Sequence, residues 1–141
     1  MKLGNRLRRL KLVNMREIYK YSIFSIIIMF LAFSFGLVRA MYDTVQNTFS
    51  TSILIFHIIF AGLTGGFGVY LYVLANKTGL LFPKFIGLGN LVSIGIAGFS
   101  GLSYLLTNYE WLTRLMLYGF EFSLALTSML IGYLYCFMRY R

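Results

Sequence analysis

Four apolar stretches, each long enough to cross a lipid bilayer, dominate this chain. A helix needs about 20 apolar residues to span a hydrocarbon core of about 30 Å. The sequence predicts such spans at about 21–41, 50–75, 85–106 and 112–138. In the first, the run IFSIIIMFLAFSFGLV has serine as its only polar residue type. Lipid offers backbone amides no partner, so segments of this kind satisfy their own hydrogen bonds as helices. Composition agrees. Of 141 residues, 59% are hydrophobic and 12% are charged, against about 25% charged in a soluble domain. Too little polar surface remains to cover a water-soluble globule. The expected fold is an all-α membrane protein, a four-transmembrane-helix antiparallel bundle over residues 21–141. Its expected place is the cell membrane of a prokaryote.

The links at 42–49, 76–84 and 107–111 are too short to hold an extramembrane domain. Links this short force neighbouring helices to run in opposite directions. Charge then orients the bundle. Lys2, Arg6, Arg8, Arg9, Lys11, Arg16 and Lys20 precede the first span, Lys77 and Lys84 flank the second link, and Arg139 and Arg141 end the chain. Only Arg39 and Arg114 fall on the other side. The positive-inside rule therefore predicts both termini in the cytoplasm, with Asp43 and Glu110 facing outward.

Residues 1–20 read as a basic N-terminal arm. Leu3, Leu7, Leu10 and Met15 recur near helical spacing among the bases. That pattern fits an amphipathic helix on the inner leaflet, held by anionic lipid, or a frayed basic tail. Next to a membrane span, lipid is the expected partner of such an arm, not nucleic acid. The single cysteine, Cys136, excludes an intramolecular disulfide and CxxC chemistry.

Small residues recur in two spans. Gly89, Ser93, Ala97 and Gly101 follow one another at i+4 in the third. Ala61 and Gly65, and likewise Gly62 and Gly66, share faces of the second. Small residues at this spacing let helix backbones approach closely in lipid. Spans two and three are therefore expected to pack tightly through these strips, although the strips could equally receive a partner subunit.

Two ionisable residues lie deep in spans: His57 in the second and Glu121 in the fourth. Such residues are costly in a membrane and mark functional sites by default. Each stands about two turns into its span from the outer face. Three readings follow. The pair hydrogen-bonds and knits spans two and four; or His57 is an axial ligand to a haem; or the pair contacts a quinone or relays a proton. Other chemistries lack parts. A structural zinc site needs four ligands. GLTGGFG follows no strand and lacks the P-loop lysine.

The segment FHIIFAGLTGGFGVYLYVLANKTGLLFPKFIGLGNLVSIGIAGFSGLSYLL resembles a helix pair of the haem A synthase family. Proteins of that family contain four-helix units. Each unit has a histidine near the outer end of its second helix, then small residues, and a second histidine at matching depth in its fourth helix. His57 matches the first position and Ala61 the small residue after it; Glu121 stands at the fourth-helix position. Phe56 and Ile58 flank His57, whereas the family usually has an acidic residue shortly before that histidine and an arginine after it. The resemblance implies a similar fold. It does not imply haem A synthesis, because the paired histidine is missing.

The expected role is a non-catalytic accessory subunit of a larger membrane complex, with a respiratory oxidase or electron-transfer assembly as preferred host. A small haem- or quinone-binding protein using His57 and Glu121 is the first alternative. An oligomeric small transporter or channel is the second.

Overall fold

The computed structural model describes the backbone of residues 2–41 and 48–140, with the side chains of 14–41 and 49–140. The described residues are helical apart from short links: α1 (Lys2–Met41), α2 (Thr48–Lys77), α3 (Leu81–Thr107) and α4 (Glu110–Arg139). All four are long and apolar enough to cross a membrane. At 1.5 Å per residue, the 27–30 residues of α2, α3 and α4 reach about 40–45 Å, the thickness of a bilayer with its headgroups.

The 40 residues of α1 make a rod of about 60 Å. The basic arm and the first span are therefore one uninterrupted helix. The side chains of Leu3, Leu7 and Leu10 lie outside the described residues, as does Asp43. Met15 and Ile18 are fully buried, packed with Leu71, Leu74, Leu130 and Leu134. The bundle thus begins about two turns before Tyr21, where the sequence reading ends the arm. Periodicity explains this. Met15, Ile18, Ser22, Ser25, Met29 and Ala32 recur every three or four residues and are buried, while Arg16, Glu17 and Lys20 take the exposed side.

The links are set by turn chemistry. After α2, the Thr78 hydroxyl donates to the Ala75 carbonyl at 2.7 Å and accepts from the Leu80 N–H at 3.2 Å. Gly79 at φ +66° then supplies the left-handed residue, which costs glycine nothing. Pro83 lies in the first turn of α3 and not in the link; a first-turn residue has no intrahelical use for its missing N–H. Asn108 at φ 54° closes α3, its N–H bonded to the Tyr104 carbonyl.

The helices form a square. α1 packs against α2 and α4, and α3 packs against α2 and α4, leaving α2 and α4 on a diagonal. Along the α1–α2 seam, Phe35 stacks on Phe56 and Phe60, and Tyr21 meets the Tyr70 ring edge-on at 4.8 Å. On the α1–α4 seam, Phe33 stacks on Phe120 with centroids 4.8 Å apart.

The small-residue strips do not meet as the sequence suggests. The strip on α3 faces α4. A Cβ added at Gly119 would lie 2.8 Å from the Ser93 carbonyl oxygen and 2.9 Å from the Ala97 nitrogen. Gly89 meets Leu126, and Gly101 meets Met116. α2 and α3 touch at other glycines, Gly68 under Ile94 and Gly87 against Ala75 and Tyr72. A Cβ at Gly62, Gly65 or Gly66 would meet nothing within 4 Å, and Ala61 is half-buried. The physical reason is Gly119. It lies on the face of α4 turned to α3 and lets two backbones come together, as Cα–H···O contacts in membrane helices require.

Gly119→Ala should therefore lower stability by about 1–3 kcal/mol, the cost of overpacking. Gly132→Ala adds a methyl to open space and should leave stability equal or higher, since alanine is the better helix former. Unfolding in mixed micelles, followed by far-UV circular dichroism, checks both.

Candidate functional site

His57 sits in the third turn of α2, about 14 Å along the helix from Thr48 at 1.5 Å per residue. Its ring is half-buried and lies against α1. Nδ1 is 2.7 Å from the Ala32 carbonyl oxygen. A carbonyl only accepts, so Nδ1 carries a proton, and in the neutral ring the acceptor is then Nε2. Gly36 makes this position possible. A Cβ there would lie 2.9 Å from Cε1 and 3.1 Å from Nδ1 of the imidazole. The stacked rings of Phe35, Phe56 and Phe60 hold the two helices together at this level. A histidine whose Nδ1–H is tied to a backbone carbonyl has a fixed ring orientation.

Glu121 is elsewhere. It stands about 16 Å along α4 from Glu110, so its distance from the start of its helix resembles that of His57. Its side chain is exposed on the outer surface of the bundle. His57 and Glu121 do not pair: α2 and α4 lie on the diagonal, His57 is bonded to α1, and Glu121 is exposed. A haem held between these two residues does not fit this arrangement. His57 supplies one nitrogen at the α1–α2 seam, and the carboxyl is on an exposed face of α4. No group of three or more His, Cys, Asp or Glu side chains suited to a metal ion exists among the described residues.

The interior holds uncharged polar groups instead. The Ser123 hydroxyl on α4 donates to Asn90 Oδ1 on α3 at 2.6 Å and lies 3.2 Å from Met29 Sδ on α1. This contact joins three helices, and Asn90 and Ser123 are both buried. Sequence reasoning did not find it. Neither Asn90 nor Ser123 was singled out, and a lone asparagine or serine in a span carries no visible signal. Gly36 and Ala32, which place His57, also went unmarked; a glycine amid the bulky side chains of the first span was the available clue.

Comparison of the chain with known protein families, curated proteins and solved structures finds no match.

The His57 geometry makes a spectroscopic forecast. Nitrogen NMR of the imidazole should show Nδ1 protonated and Nε2 bare. Gly36→Ala should displace the ring and shift both resonances, and a Gly36→Ala spectrum identical to the parent would refute the packing.

Proposed function

We propose that this protein is a non-catalytic accessory subunit of a larger membrane complex, which docks on the outer face of α4. The observation that carries this reading is the exposure of Glu121. A carboxyl in the hydrocarbon is costly and, as a rule, faces a bundle interior or a partner. The interior of this bundle does not receive it. Ala125, Ser128 and Gly132 follow Glu121 along the same exposed face at i+4, i+7 and i+11. These small side chains would let a partner helix come close enough to hydrogen-bond the carboxyl. In this reading the host is a respiratory oxidase or a related electron-transfer assembly, as the likeness of the His57 segment to the haem A synthase family suggests.

The bundle is antiparallel, with both termini in the cytoplasm of a prokaryotic cell. The pairings of Phe35 with Phe56, Tyr21 with Tyr70, and Phe33 with Phe120 support this, since rising numbers on α1 meet falling numbers on α2 and α4. The basic residues at the ends of the spans support the orientation. A second reading has its own observation. The bare Nε2 of His57 is an acceptor at the α1–α2 seam, suited to the hydroxyl of a hydroquinone.

A photoreactive amino acid at Ala125 should crosslink a larger membrane polypeptide in native membranes, while one at Phe99, exposed on α3, should not. Glu121→Leu should abolish the adduct and Glu121→Gln, which keeps hydrogen bonding, should retain much of it. Absence of any adduct at Ala125 defeats the docking face. For orientation, Asn76→Cys in a Cys136→Ala background should react with an impermeant maleimide only after the cells are opened. Labelling in intact cells would reverse the topology.

A further inference from the structure

Serine and threonine inside helices can return their hydroxyl to the carbonyl four residues back. Ser34, Thr64, Ser93 and Thr107 do so at 2.8–2.9 Å. Ser22 and Ser25 on α1 and Thr127 on α4 do not. All three are 0% exposed, and their hydroxyls meet no protein partner. Buried polar groups without a partner are rare, and each calls for an explanation such as bound water.

The three residues lie at neighbouring levels of two packed helices. Phe33 lies against Phe120 and Met29 against Ser123, so falling numbers on α1 meet rising numbers on α4. One further turn on each helix brings Ser25 level with Thr127, and Ser22 lies one turn beyond Ser25. The Asn90–Ser123 bond borders this layer from α3. On one side of the layer the packed side chains of Met15, Ile18, Leu130 and Leu134 close it. On the other side Gly119 packs against Ser93 and Ala97.

We propose that this layer is a binding site for ordered water, at least one molecule bridging the hydroxyls of Ser22 and Ser25 to that of Thr127. Hydroxyls both donate and accept, as a bridging water requires. A cation is a poorer occupant. Glu17, Glu110 and Glu121 are all exposed, so no described carboxylate would balance its charge inside the bundle. A buried water typically makes about three hydrogen bonds, the number these hydroxyls offer. The water joins α1 to α4 along a seam that also holds ring stacking, the Met29 sulfur and the packed side chains of Met15, Ile18, Leu130 and Leu134.

The sign of a stability change tests this directly. Ser25→Ala and Thr127→Val remove one hydroxyl each at nearly constant volume. If water bridges them, each lowers the unfolding midpoint. The double variant then loses less than the two single losses together, because the second change removes a bridge already broken. If the layer is dry, removing an unpaired hydroxyl raises the midpoint or leaves it unchanged, which overturns the proposal. Water-edited solid-state NMR of the unaltered protein in lipid bilayers gives a second readout. Transfer from water to the Thr127 methyl, and none to the Leu130 methyls, is the expected result; absence of transfer at Thr127 overturns it. A midpoint that rises with sodium but not choline, and no longer does so in Thr127→Val, assigns the layer to a cation and also overturns it.

Discussion

At Gly119 the backbone of α4 comes against the backbone of α3 at Ser93 and Ala97. Lipid tails are as apolar as leucine, so helices in a membrane gain little by hiding apolar surface from them. Close approach is what remains, and it depends on a residue with no side chain. One turn along α4, the same face delivers Ser123 to Asn90. Ser123 in turn meets Met29, which brings α1 into register. The square of helices is built outward from that seam, and α2 is joined to it through the aromatic stack around His57 and through Gly68 and Gly87.

Polar groups are sorted by charge. Serine, threonine and asparagine side chains fill much of the interior, where hydroxyls and amides can satisfy one another at modest cost. The two ionisable residues of the spans stay out of the centre. His57 is wedged at the α1–α2 seam, where the Ala32 carbonyl takes its proton donor and Gly36 yields the space. Glu121 is turned outward. Two of the three readings put them in one site; the structure instead sets an imidazole at the α1–α2 seam and a carboxyl on an exposed face of α4. This separation is why docking on α4, and not a cofactor held between α2 and α4, is the reading the geometry favours.

Much of the architecture was legible in the sequence, for a plain reason. Length and apolar content decide whether a segment can cross a bilayer, and both are properties of the residues alone. The links after α2 and α3 were located as well, because Gly79, Asn108 and the polar residues beside them interrupt the apolar runs. Distance along a helix was also readable, so His57 and Glu121 were placed at similar depths. The direction each side chain takes was not. Successive residues on a helix turn by about 100°, and a span that is apolar all round gives no inside and outside to its faces. The strip of Gly89, Ser93, Ala97 and Gly101 was visible, yet it was matched to α2 when its partner is α4. The arm shows the converse. Met15 and Ile18 follow the spacing of the buried face, but the neighbouring bases disguised them as membrane-surface residues.

The sequence by itself determined that this chain forms four long apolar helices with short links, because no other backbone arrangement tolerates lipid on such segments. Only the tertiary structure decided which faces meet, that Gly119 and not the α2 glycines supplies the closest contact, and that His57 and Glu121 belong to different surfaces. Those outcomes rest on side-chain volumes summed across helix pairs and on the absence of a single methylene at Gly36 or Gly119. Such fits exist only between helices, and no single helix's sequence contains them.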